Sequence, residues 1–236
     1  MGVKTGRARP VIAIDGPVGA GKSTVARALA RQLHFAYLNT GAMYRAVAIA
    51  ARARGIDPDD PALVERLAAM LEQVSITFDG ERVLLDGRDV SGEISAPVVG
   101  DLASRLSTLA VVRARMREAQ RAAGREGGVV MEGRDIGTAI FPDAELKFFL
   151  TADVNVRAQR RFAELAAKGV RVTSAEVLAE LRERDRRDQE RELAPLRRAT
   201  DAIEIDATAL GVREVVDAMK SRVDQAWRDE KDLKRT

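Results

Sequence analysis

Residues Gly16-Pro17-Val18-Gly19-Ala20-Gly21-Lys22-Ser23-Thr24 constrain this chain more than any other stretch, because they fit G-x-x-x-x-G-K-[ST] with Gly16, Gly21, Lys22 and Ser23 in register. Before them, Val11-Ile12-Ala13-Ile14-Asp15 is an apolar, β-branched run suited to a buried parallel strand. After them, residues 25–33 repeat at helical spacing. Strand, glycine loop and helix in that order predict an α/β fold. Glycines let the backbone curl around phosphates with its N–H groups inward, and the following helix adds a positive N-terminal dipole. Lys22 is then placed to reach the β- and γ-phosphates, and the Ser23 hydroxyl to ligate the Mg²⁺ that bridges them. The stretch predicts a nucleoside triphosphate site.

The rest of the composition narrows the chemistry. Zero cysteines exclude disulfides, thiolate catalysis and cysteine-based metal sites, and a single histidine, His34, makes a histidine-centred mechanism or zinc site improbable. His34 ends a helix and reads as a surface or capping residue. At 236 residues the default is one α/β domain with insertions, and with only 4% aromatics its core must be built mainly from Ala, Val, Leu and Ile. No apolar run approaches a membrane span or a signal core, which predicts a soluble, cytoplasmic protein without a membrane partner. Net charge is only +3, yet arginine concentrates within residues 157–198.

Taken in order, residues 1–9 read as a flexible basic leader. Residues 35–39 read as a second strand, and residues 40–54 as a helix with Thr40 as its N-cap. A helix over 62–73 follows, and then the period changes. Residues 74–78 alternate, Asp79-Gly80 is a hairpin turn, and Val83-Leu84-Leu85 with Asp86-Gly87 supplies another strand and turn before Val90. A small antiparallel sheet is thus inserted into a βα-alternating chain and marks a subdomain. Helices are expected over 96–108 and 111–123, strands over 129–132 and 146–150, charged helices over 155–168 and 174–192, a last strand over 202–206 and a closing helix over 212–227. Residues 228–236 read as a frayed tail. Gly133-Arg134-Asp135-Ile136-Gly137-Thr138 falls at the carboxyl end of a core strand, the edge where doubly wound sheets bind ligands.

Several segments in this order, over about residues 10–227, resemble the bacterial cytidylate kinases, which transfer the γ-phosphate of ATP to CMP or dCMP. They are Ile14-Asp15-Gly16-Pro17, Thr40-Gly41-Ala42-Met43-Tyr44-Arg45, Asp89-Val90-Ser91-Gly92-Glu93-Ile94, Gly133 to Thr138, Phe141-Pro142-Asp143-Ala144, and Glu183-Arg184-Asp185 with Asp188 and Arg191. The resemblance implies a P-loop kinase with a five-stranded parallel core, a monophosphate-binding arm (about 41–108) enlarged by the small antiparallel sheet, and a short helical lid (about 157–192). Where that family usually carries Asp, this chain has Asn39, whose amide still accepts hydrogen bonds.

A phosphate nucleophile is already anionic near neutral pH and needs no general base, so catalysis should rest on positioning two polyanions among cations. By resemblance, Arg45 and Arg134 clamp the CMP phosphate within a site that includes Thr40 and Tyr44. Arg157, with Arg160 or Arg161, closes over ATP and the transferring phosphoryl group. The alternative for these arginines is a solvated helix face, with Glu164 as a surface partner. Cytosine presents an exocyclic amine and an unprotonated ring nitrogen. The resemblance accordingly assigns Asp135 as acceptor from the amine, and Arg113 and Ser104 as donors to the ring. Arg184, Asp188 and Arg191 match positions that contact the nucleoside, although Arg184 and Asp188 also have the i,i+4 spacing of a surface pair. Asp206 and Thr208 lead into the loop expected near the adenine. Phe148, Phe149 and Trp227 read as packing residues. The expected partners are ATP with Mg²⁺ and CMP or dCMP, bound by a monomer. Broader pyrimidine acceptance including UMP, or a non-catalytic switch or RNA-binding module using the same loop, are the competing readings. Carboxylates rather than aromatics between the lid arginines argue against an RNA platform.

Overall fold

The computed structural model describes residues 7 and 9–233, with side chains through residue 228. Its core is a five-stranded parallel sheet ordered β2-β6-β1-β7-β8. The strands are β1 (Val11–Asp15), β2 (Ala36–Asn39), β6 (Val129–Gly133), β7 (Leu146–Thr151) and β8 (Ile203–Asp206). β1 and β6 are buried at every position, as continuous apolar runs at the centre of a two-sided sheet should be. Alternation still sorts their side chains. Val11 and Ala13 join the cluster on one face, while Ile12 and Ile14 join the other, against α1 (Lys22–Leu33) and α8 (Val212–Leu233).

The first face is covered by α2 (Thr40–Ala53), α3 (Leu63–Gln73), α4 (Pro97–Leu106) and α5 (Ala110–Gly124). The second sheet, β3 (Ile76–Asp79), β4 (Arg82–Leu85) and β5 (Arg88–Asp89), is antiparallel in the order β3-β4-β5, as the change of period predicts. It seats Val83 and Leu85 in the same cluster. A third, small cluster joins α6 (Val154–Ala167) to α7 (Ser174–Glu190) through Ala158, Leu165, Val177 and Leu181, with Val18 of the glycine loop packed against it.

Several sequence expectations shift. Asn39, not Thr40, caps α2: its Oδ1 accepts from the Ala42 N–H at 3.0 Å, while Thr40 lies inside the first turn and donates its hydroxyl to the Glu132 carbonyl at 2.7 Å. The closing helix continues past Trp227 to Leu233. Arg7, assigned to the leader, is pinned between Asp143 (2.6 Å) and Glu145, and Arg9 stacks over Phe35. Residues 1–6, 8 and 234–236 lie outside the described residues. Residues Ile136–Ile140 form a π-helical turn that local periodicity does not indicate. His34 is an exposed C-cap, and Trp227 packs on Phe35 at 6.0 Å. No helix among the described residues is long and apolar enough to cross a membrane.

Candidate active site

The glycine loop leaves the carboxyl end of the central strand and enters α1, so its N–H groups and the helix dipole meet at the crevice where ligands bind in doubly wound sheets. Two glycines are required by geometry. A Cβ on Gly16 would stand 2.0 Å from the Leu150 carbonyl oxygen, and Gly21, the N-cap of α1, has φ +93°. Lys22 is buried, its ammonium donating to the Pro17 carbonyl at 2.7 Å inside the loop. Burial, followed by the charge of Arg134, lowers its pKa to about 7.

The loop forms one wall of a cavity of about 690 Å³. Val18, Gly19, Ala20, Gly21, Lys22, Ser23 and Thr24 line it, whereas Gly16 and Pro17 lie behind the surface. At one end are Ala207, Leu210, Gly211, Val212 and Val215, an apolar patch beside the loop. Asp206 is not in this lining: it is exposed and accepts from the Thr208 N–H (2.8 Å) and hydroxyl (2.5 Å) in a turn. Arg160 reaches the same end, donating to the Ala207 carbonyl at 2.8 Å, and Arg161 lines the cavity while paired with Glu164 at 2.9 Å.

Opposite the loop stands a wall of side chains brought together from α2, α4, α7 and the end of β6: Tyr44, Arg45, Ser104, Glu132, Arg134, Asp135, Arg184, Asp188 and Arg191. Thr40, Asn39 and Ser107 complete it. The Arg45 side chain has no hydrogen bond or ion pair among the described residues. Burial, then the charges of Arg184, Arg161 and Arg134, lower its pKa to about 10. Arg184 is likewise lowered by burial and then by Arg134, with only a 3.4 Å contact to exposed Glu180. Burial works against the charge of Arg134, but Asp188, accepting from its Nε at 2.7 Å, holds it above its usual value. Asp188 therefore pairs with Arg134 rather than with Arg184 four residues before it. The result is a dense cationic patch, only partly compensated, facing the glycine loop.

The far end is polar and tightly partnered. Asp135 is buried, accepting from Arg113 Nη2 at 2.5 Å on one oxygen and from Arg191 Nη2 at 3.3 Å on the other. Arg113 does not line the cavity: it stands behind Asp135, donates also to the Ser107 carbonyl at 3.3 Å, and leaves its Nε buried without a partner. Burial raises the Tyr44 hydroxyl pKa beside this group. Arg157 also differs from expectation. It is buried away from the cavity, donating to the Val18 carbonyl at 2.9 Å and to Asp185 at 2.6 Å, so it ties the glycine loop to α7.

Sequence reasoning missed two contributors. Glu132, at the carboxyl end of β6, is buried in the cavity wall and accepts from the Tyr37 hydroxyl at 2.7 Å; a carboxylate ending an otherwise apolar core strand is the signal that marks it. Asp15 accepts from the Ile136 and Gly137 N–H groups at 2.9 and 2.8 Å, fastening the Arg134-Asp135 segment to the strand that carries the glycine loop. Burial outweighs those two hydrogen bonds and raises its pKa to about 6.

A metal such as Mg²⁺ needs hard oxygen ligands. Ser23 lines the cavity next to Lys22, its hydroxyl beside that of Tyr37, while the Asp15 carboxylate is occupied by backbone N–H groups and Asn39 by its cap. Among the described residues no cluster of three or more His, Cys, Asp or Glu forms a protein cage for a metal. The donor set fits an ion held by one hydroxyl and completed by phosphate oxygens.

A glycine loop at the switch point of a five-stranded parallel sheet, facing a wall of arginines, defines the P-loop kinase class. Within it, the chain belongs to the cytidylate kinase family, whose model matches residues 12–225. It is 48% identical to a cytidylate kinase of Geobacter sulfurreducens, across 92% of this chain and 94% of that one. A cytidylate kinase of Pelotomaculum thermopropionicum is 49% identical across 93% and 98%. A bifunctional pantoate ligase/cytidylate kinase of Synechococcus elongatus is 48% identical over 89% of this chain, which spans 41% of that longer protein.

Proposed function

We propose that the protein transfers the γ-phosphate of ATP to CMP or dCMP, giving ADP and CDP or dCDP. The observation that carries this reading is the pairing, across one cavity, of a backbone anion site with the undercompensated arginines Arg45 and Arg184 beside the paired Arg134. Family membership supports the choice of acceptor.

The triphosphate lies along residues 18–24 with its base toward Leu210, Val212 and Val215. The acceptor phosphate meets Arg45, Arg134 and Arg184. An anionic oxygen of that phosphate forms the new bond to the γ-phosphorus as the bond to the β–γ bridging oxygen breaks, and no side chain need accept a proton. Lys22 and Arg161 hold charge on the transferring group. Ser23 would hold Mg²⁺, which would supply charge neutralisation to the phosphates of the donor. Entry of phosphates beside Lys22 reverses the effect of its cationic neighbour and keeps the ammonium charged. Asp135, an acceptor on a carboxylate held from two sides, suits an exocyclic amine, and Ser104 suits a ring acceptor.

A coupled ADP-release assay with ATP, Mg²⁺ and each nucleoside monophosphate tests the proposal. CMP and dCMP should turn over rapidly, UMP poorly and AMP not measurably. Equal turnover of UMP would leave a general pyrimidine kinase; absence of turnover with every acceptor would leave a binding module.

A further inference from the structure

Arg187 has no part in the site as described, since it does not line the cavity. Its Nη1 nevertheless donates to the Ser104 Oγ at 3.0 Å, and to Asp101 Oδ1 at 3.4 Å. These contacts cross from α7 to α4 and end on a hydroxyl in the cavity wall. Arginine has donors only, so Ser104 can take part in this bond only as an acceptor. Its own O–H has no acceptor among the described residues. With one lone pair committed to Arg187, the hydrogen is left to point toward the cavity.

We propose that Arg187 is a positioning residue for acceptor selection: it holds the Ser104 hydroxyl as a donor, so that the site favours a pyrimidine whose ring nitrogen accepts over one whose ring nitrogen donates. This rests on the reading of Ser104 as a base contact. Cytosine and uracil differ at N3 in this respect, an acceptor in the first and an N–H in the second. A hydroxyl free to turn satisfies either base. One held by a guanidinium meets the uracil N–H with its hydrogen, or must turn that hydrogen away and leave it unpaired, and such mismatches discriminate strongly. The end of the same helix controls the other group read as base-facing, because Arg191, its C-cap, donates to Asp135.

The experiment compares kcat/KM for CMP and UMP in wild type, R187M, R187K, S104A and S104A/R187M. The Arg187 side chain is about a quarter exposed (24%), so methionine keeps most of the packing; R187A serves as a second truncation, and Tm is recorded for each. R187M and R187A should lower the CMP-to-UMP preference by about tenfold, chiefly by improving UMP. R187K, which retains a donor, should hold most of that preference. In the S104A background, R187M should shift the ratio no further, because its effect runs through that hydroxyl. Equal losses for both substrates would make Arg187 a strut between helices and overturn the inference, as would a ratio change that persists without Ser104. A wild-type preference unmoved by S104A would instead remove the base-reading assignment on which the inference rests.

Discussion

On the proposed reading the two walls of the cavity solve the same problem, holding phosphate, by opposite means. The loop wall is a run of consecutive residues that offers backbone N–H groups and one buried lysine. Its shape is fixed by Gly16, which leaves no room for a Cβ, and by Gly21, which holds a positive φ. The facing wall takes side chains from α2, α4, α7 and the end of β6, and holds them by ion pairs between residues as distant as Arg134 and Asp188. A backbone site is preorganised by covalent geometry. A side-chain site is preorganised by mutual compensation, so removal of a paired member leaves its partner uncompensated.

The contrast predicts different failures. On the proposed reading Lys22→Ala removes a charge that acts on the transferring group, and among the described residues the ammonium makes one hydrogen bond, to the Pro17 carbonyl, and no ion pair. Steady-state kinetics should show kcat reduced by about 10³-fold with the circular dichroism and Tm almost unchanged. Turnover near wild type would break the assignment of the loop. Asp188→Ala, on the facing wall, leaves Arg134 with the like charges of its neighbours. KM for CMP should rise by roughly 30-fold and KM for ATP by less than about threefold. Combining it with Arg134→Ala should cost less than the two effects added, since the residues act as a unit. Strict additivity would mean that the wall is a set of independent contacts.

How far each wall could be read from sequence follows from the same difference. The loop, its strand and its helix are contiguous, and their spacing carries the chemistry. The antiparallel insert was legible because a change from helical to alternating period is local. The π-turn at Ile136–Ile140 was not, because its shape depends on Asp15, 121 residues earlier in the chain, accepting two of its N–H groups. Arg157 and Arg161 are indistinguishable in a run of charges. One is buried because Asp185 stands 28 residues further on, while the other faces the cavity beside Glu164. Likewise nothing local in α5 tells Arg113 to stand behind Asp135 rather than beside it. The family resemblance pointed to most residues of the facing wall, and the structure shows which of them line the cavity.

Arg157 sharpens the comparison, because it belongs to neither wall and joins the loop to α7. Asp185 is partly buried (side chain 13% exposed), with Oδ1 out of solvent and already lacking a partner, so Arg157→Met should strand the carboxylate and lower unfolding stability by about 3 kcal/mol. Urea denaturation would measure this, and the double replacement Arg157→Met with Asp185→Leu should recover much of the loss. A variant of unchanged stability whose kcat nonetheless collapses would return Arg157 to the reacting phosphates.

The smallest effect is expected at Asp15, which ties one wall to the other. Its pKa is raised from 3.8 unfolded to about 6 folded by burial, so between these values the folded state binds the extra proton. Stability from this group is therefore fullest at acidic pH and falls as pH rises from about 4 to 6, by on the order of 2 kcal/mol. Asp15→Asn removes that slope. Although the amide disturbs one of the two N–H bonds and destabilises the protein throughout, the gap to wild type in urea should be wider at pH 4.5 than at pH 7. A gap that instead widens toward pH 7 would mean that the two backbone hydrogen bonds outweigh burial, and that the tie between the walls is strongest when ionised.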